Sequence, residues 1–148
     1  MRLFWVLAAT LCLTACSATG PDVPSGGFPL QVTHLAVTAD AAAGAVDVAL
    51  VIRNGDGYTL KSALLTLAAY NAQGTQVGAT YAVQIPGPLP AKASSPEVLK
   101  KGAWRDLSIT CVAVIRAQIT SLDYASDYAD GAEARGIVAD KDRGPCGR

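Results

Sequence analysis

Val46-Asp47-Val48-Ala49-Leu50-Val51-Ile52-Arg53 is the stretch on which the fold turns. Its apolar side chains recur with period two: Val46, Val48, Leu50 and Ile52 share one face, and Asp47, Ala49, Val51 and Arg53 share the other. Successive side chains of an extended strand point to opposite faces, so this spacing predicts a strand with one face in a core and one at least partly wet. Asn54-Gly55-Asp56-Gly57 follows, four residues that tolerate positive φ, and marks a turn. Outward from there the same period recurs, broken at intervals by Gly, Asn, Asp and Pro, which is the pattern of a small antiparallel β protein. Strands are predicted near residues 30 to 38, 45 to 53, 62 to 71, 76 to 85, 104 to 110 and 111 to 121, with the last two able to form one long strand. Asn71-Ala72-Gln73-Gly74 joins Ala63–Tyr70 to a strand in which Val77, Ala79, Tyr81, Val83 and Ile85 alternate with polar or small residues, and reads as a hairpin. Ile85-Pro86-Gly87-Pro88-Leu89-Pro90 cannot continue a central strand, because proline has no donor for the ladder, and reads as a crossover loop.

In the last regular strand Ile109, Cys111, Ala113, Ile115, Ala117 and Ile119 are expected to line the core face, so Cys111 is predicted to point inward. The remaining residues, Asp123–Arg148, are rich in Ala, Asp and Gly and show no strand pattern; Ala129–Val138 could form a short helix, with Gly131 and Gly136 against it. Of the four cysteines, Cys12 and Cys16 fall at the N-terminus, which leaves Cys111 and Cys146 as the pair available to each other. In an exported chain two remaining cysteines read as one disulfide. It closes a loop of roughly 35 residues and, in the chain-entropy treatment, contributes roughly 3 to 4 kcal/mol. Metal ligation lacks ligands in spacing, and a reactive thiol lacks an activating neighbour.

The N-terminus has the layout of a secretory signal, Met1-Arg2 followed by an apolar run from Leu3 to Leu13. A membrane-spanning helix needs about 20 apolar residues, so this run targets and is then removed. Leu13-Thr14-Ala15-Cys16 resembles the bacterial lipobox, in which small residues precede the scissile bond and the cysteine thiol takes a diacylglyceryl group. The resemblance implies a signal peptide over 1–15, a lipid anchor on Cys16 with further acylation such as palmitate, and membrane attachment that several acyl chains make effectively permanent. Ser17 rather than Asp after the cysteine implies, by likeness to Gram-negative sorting, an outer-membrane protein facing the periplasm. An ordinary secretory signal with Cys16 incidental is the competing reading. Residues 16–27, built of Ser, Ala, Thr, Gly and Pro with little else, are expected to be a flexible tether. Loss of 1–15 takes away Arg2 and no acidic residue, leaving 11 basic and 12 acidic side chains. Such a balance offers no basic stripe for nucleic acid or anionic lipid, and Lys100-Lys101 reads as solvated surface.

Val51-Ile52-Arg53-Asn54, then Leu67-Ala68-Ala69-Tyr70-Asn71-Ala72-Gln73-Gly74, then Leu89-Pro90-Ala91 follow an order of signals that resembles FxLyD-type domains of bacterial envelope proteins. The Phe, Leu and Asp of that pattern stand here as Leu67, Ala69 and Asn71; Tyr70, the Gly74 turn and the spacing match. The resemblance covers residues 30 to 121 and implies a small immunoglobulin-like β-sandwich. It carries no shared reaction.

His34 is the single histidine. A half-buried imidazole bonded to a backbone group is the ordinary reading, and a catalytic or metal role needs partners that the sequence does not supply. Asp123, Asp127 and Asp130, with Asp140 and Asp142 beyond, are the one local excess of carboxylates; their spacing does not reproduce a calcium loop and reads as a solvated tail. Tyr58, Trp104, Tyr124 and Tyr128 could line a binding surface or pack in core and loops. No phosphate loop, nucleophile elbow or cofactor motif stands in the sequence. The sequence therefore predicts a β-sandwich over 28–122 with a disulfide-pinned tail over 123–148. It is expected to act as a non-catalytic binding or assembly module of the envelope, with an envelope protein as partner and the membrane held through Cys16. A small-ligand carrier opening between its sheets, and an enzyme joining His34 to an acidic residue, are the alternatives.

Overall fold

A computed structural model describes residues 27–147. The signal peptide predicted over 1–15, Cys16 and the tether as far as residue 26 lie outside those residues. Seven strands form two antiparallel sheets. The first has the order β1 (Leu30–Asp40), β2 (Ala45–Asn54), β5 (Val98–Trp104). The second has the order β4 (Gln76–Ile85), β3 (Leu60–Asn71), β6 (Ile109–Ser121), β7 (Ser126–Asp130). The sheets face each other as an immunoglobulin-like sandwich, with Val46, Val48, Leu50 and Ile52 of β2 in one core with Leu65 and Leu67 of β3 and Val83 and Ile85 of β4. The alternation expected in β2 holds, because its polar face stays only half-buried.

β6 departs from simple alternation. Its register against β3 shifts between Thr66 and Leu67 and again between Tyr70 and Asn71. Each shift inserts a residue and moves the following side chains to the other face. Ala117 and Ile119 therefore face the core, then Val114 and Val112, then Ile109. The expectation that Cys111 points into the core is corrected: opposite Tyr70, it lies on the outer face, buried there beneath the tail, and Ala113 lies on that face opposite Ala68. Ile115, at the bulge, is half-buried.

The strand expected at 104–110 lies instead at Val98–Trp104, with a turn at 105–108 in which Ser108 N donates to Asp106 Oδ1 at 2.8 Å. β5 escapes a periodicity reading because it is an edge strand bearing Lys100 and Lys101, and Gly102, at φ 60°, breaks its alternation. The proline segment is not a free crossover either. Ser95 N donates to Ile52 O at 2.8 Å and Asn54 N to Ala93 O at 2.9 Å, so the loop continues along the β2 edge that β5 occupies further on.

The tail is also more regular than expected. Ser126–Asp130 is strand β7, paired with Arg116–Thr120, and the helix, α1, spans only Gly131–Gly136 rather than Ala129–Val138. A five-residue edge strand with one buried residue, Ala129, has no alternation to read; the exposed edge of β6 imposes its conformation. Beyond α1 the chain crosses to the other sheet, where Val32 N donates to Ile137 O at 2.8 Å and Ala139 N to Val32 O at 2.9 Å. Ala134, Ile137 and Val138 close that side of the core, and the Cys111–Cys146 disulfide, with a Cα–Cα distance of 6.2 Å, ties the end of the tail to β6.

Candidate functional site

One end of the sandwich gathers the N-terminus of β1, the β2–β3 loop, the proline segment and the β6–β7 turn, and a single buried side chain organises it. Asn54, fully buried, donates through Nδ2 to the carbonyls of Tyr58 at 2.7 Å, Leu89 at 3.1 Å and Pro90 at 3.1 Å, and its Oδ1 accepts from Asp56 N at 2.9 Å. The turn expected at Asn54–Gly57 is there and is built on this side chain, and neither Gly55 nor Gly57 uses the positive φ it tolerates. Gly55 serves close approach: a Cβ there would lie 2.9 Å from Pro29 O.

The turn opposite is Ser121-Leu122-Asp123-Tyr124-Ala125. Ser121 N donates to Ala125 O at 2.9 Å, Tyr124 N to Ser121 O at 3.1 Å, and the Ser121 hydroxyl to Asp123. The Ser121 hydroxyl first, and the Ala125 amide, which donates to Asp123 Oδ1 at 3.3 Å, second, hold the Asp123 carboxyl below the usual carboxylate range. Between the two loops lies an open groove of about 500 Å³ lined by Tyr58, Thr59, Ser121, Leu122 and Asp123. Of its lining, Tyr58 is 47% accessible and Leu122 60%, and Tyr124, next in the turn, is 72% accessible. The Lys61 ammonium lies 3.4 Å from the centre of the Tyr124 ring and holds its phenol below the ordinary value. Hydrogen bonding to Asp56 raises the Tyr58 phenol, with burial and the nearby charges of Asp56, Asp127 and Asp123 acting the same way. Among the described residues the non-glycine positions with left-handed φ are Lys92 at 60° and Tyr124 at 67°, both at this end.

The aspartates are not brought together. Asp123 and Asp127 lie by the groove, Asp130 pairs with Arg116 Nε at 2.5 Å on the outer face of β6, and Asp140 pairs with Arg143 at 2.9 Å in the tail, near Asp142. Among the described residues no group of three or more His, Cys, Asp or Glu side chains is placed to hold a metal ion. His34 is half-buried in β1 beside the register shift at Thr33. Trp104 belongs to the core: its ring packs on Tyr81 with centroids 5.7 Å apart, and Nε1 donates to Ala79 O at 2.8 Å. Tyr128 stands across from Gln118 on β7, half exposed and away from the groove lining.

A second surface is the edge of β4. An edge strand offers unpaired backbone groups to any strand that reaches it, and proteins blunt such edges with charges, brevity, bulges or cover. Three of the four edges here are blunted: Ile137–Ala139 cover part of β1, β5 carries Lys100 and Lys101, and β7 has five residues with Asp127 and Asp130 among them. β4 is ten residues long and carries no charge. Its bulge, with Gly78 at φ 69°, and the Trp104 indole on Ala79 O occupy the first half, which leaves Thr80–Ile85 without a strand partner on its outer side among the described residues. Thr80, Ala82 and Gln84 are exposed there. Neither this edge nor Leu122 was singled out by the sequence reading, although the absence of charge from Gln76 to Ile85 was visible in it. No family model, curated protein or solved structure matches the chain.

Proposed function

We propose that the protein is a bacterial envelope lipoprotein, lipid-anchored through Cys16 in the outer membrane and facing the periplasm. It acts as a non-catalytic binding module that receives a strand of an envelope protein on β4. The observation that carries the partner reading is the open, uncharged Thr80–Ile85 edge in a fold whose other edges are blunted. Main-chain hydrogen bonds along such an edge supply affinity, and the alternate side chains supply specificity. The lipobox-like Leu13-Thr14-Ala15-Cys16 supports the anchor, and the two-sheet build accords with the architecture that the FxLyD resemblance implies. The carrier alternative needs room between the sheets, and that space is packed with Leu50, Ile52, Leu65 and Leu67, each fully buried.

A photocrosslinking residue at Ala82, in cells making the full chain, tests the partner reading. A discrete protein adduct from position 82, absent from position 100 on the β5 edge and lost when Thr80→Lys is added, is the expected result. Equal adducts at both positions, or none, refute it. Intact mass separates the anchor: the mature chain should begin at Cys16 and carry acyl groups, and an unacylated mature chain refutes that half alone.

A further inference from the structure

The groove end of the sandwich carries exposed apolar side chains that neither the core nor the β4 edge uses, and its position in the chain says what they meet. Pro29 O accepts from Gly55 N at 2.6 Å, so the chain enters the domain beside the β2–β3 loop that carries Tyr58. Ten residues lie between Cys16 and Gly27, so eleven peptide steps join them. A chain of that length spans at most about 40 Å when fully extended, and about 20 Å on average as a random coil. The sandwich is itself about 40 Å long, from the 13 residues of β6 at roughly 3.3 Å each. The β1–β2 and β3–β4 turns lie at the far end. At its average reach an anchor on Cys16 holds the end with Tyr58, Leu122 and Tyr124 nearest the bilayer, whereas only a fully extended tether would bring the far end there.

We infer that this end, through Tyr58, Leu122 and Tyr124, rests on the lipid surface in which the chain is anchored, seating the domain upright and leaving the β4 edge free along its flank. The inference rests on the lipid-anchor reading above. Tyrosine suits this place, since its ring favours the headgroup level, with an apolar body and a polar tip. Backbone conformation adds an independent sign. Tyr124 sits at φ 67°, where glycine is favoured, and its ring is mostly in solvent, so its contact with the Lys61 ammonium does no more than offset the strain of a bulky residue there. Charge sets the kind of contact. Asp56, Asp123 and Asp127 stand at this end with Arg53, Lys61, whose ammonium lies on the Tyr124 ring, and Lys92, which donates to Gly55 O, so anionic lipid has no net cation to draw on. The contact is shallow and apolar, with the carboxylates left at the headgroup level.

The test uses the acylated full chain in vesicles of phosphatidylethanolamine and phosphatidylglycerol whose acyl chains carry bromine. Bromine quenches tryptophan fluorescence at short range, and Tyr124→Trp is compared with Ala43→Trp at the far end, over the constant background of Trp104. Leu122→Trp reads the same surface should Tyr124→Trp fail to fold. The expected result is quenching at 124 or 122 at least twofold above that at 43, unchanged when phosphatidylglycerol is left out. Equal quenching at both ends in an acylated chain overturns the inference and spares the anchor. An intact mass without acyl groups overturns the anchor, and the inference with it.

Discussion

Asn54 shows how much one side chain decides at the groove end. Its amide satisfies three carbonyls and one amide from two loops while fully buried. Each buried polar group left without a partner costs about 1–3 kcal/mol. Asn54→Ala is therefore expected to destabilise by about 3 kcal/mol, read as a lower urea midpoint with unchanged slope. Tyr124 should behave in the opposite sense. Releasing a side chain from left-handed backbone stabilises by about 1 kcal/mol, so Tyr124→Gly should raise Tm, and a lowered Tm would show that the ring packs usefully. Asp123 gives the pH dependence. Its carboxyl titrates below its unfolded value, so its contribution to the turn is present above the unfolded pKa and is lost as pH falls through the folded one. Hydrogen exchange at the Ala125 amide should quicken, beyond the intrinsic pH trend, only in that acidic window, and Asp123→Asn should show the quickening at neutral pH. The sequence marked Asn54 as a turn residue; its role as a hub was hidden, because Leu89 and Pro90 are far along the chain and only the folded sheets bring their carbonyls to it.

At the scale of elements, legibility followed burial. β2, β3 and β4 were placed to within two residues, because a strand with one buried face must alternate. β5 and β7 were displaced or missed because neither alternates: Lys100-Lys101 and Gly102 at φ 60° interrupt β5, and β7 is five residues with Ala129 alone buried, whereas the edge strands β1 and β4 keep a readable period. The bulges of β6 were unreadable for a related reason: an inserted residue leaves composition unchanged and shows only against a partner strand. The tail illustrates how two constraints share one job. The disulfide closes a 35-residue loop, and Cys146→Ser is expected to cost roughly 3 kcal/mol in the chain-entropy treatment. Yet Ala134, Ile137 and Val138 are core residues and Val32 bonds the tail on both sides. In that variant α1 and Ile137–Ala139 should keep their hydrogen-exchange protection while residues after Asp140 lose it. Loss of protection throughout the tail would show that the disulfide alone holds it.

For the whole molecule, the two proposed surfaces lie on different parts of the sandwich, the lipid-facing groove at one end and the β4 edge along a flank. Well-separated sites with no shared partner act independently. Thr80→Lys should therefore abolish the crosslink at position 82 and leave bromolipid quenching at position 124 unchanged, and a coupled loss of both would mean one surface rather than two. Taken by itself, the sequence determined the all-β class, the position of the central strands, the pairing of Cys111 with Cys146 and the expectation of an anchor at Cys16. Those readings rest on local rules: a strand's two-residue period, the turn chemistry of Gly, Asn and Pro, and the elimination of cysteines by position. Tertiary structure alone decided which face Cys111 occupies, how the tail crosses between sheets, that Tyr58 and Tyr124 meet at one end, and which edge stays open. Those outcomes depend on pairing between segments distant in the chain, and no local period records which strand will lie beside another.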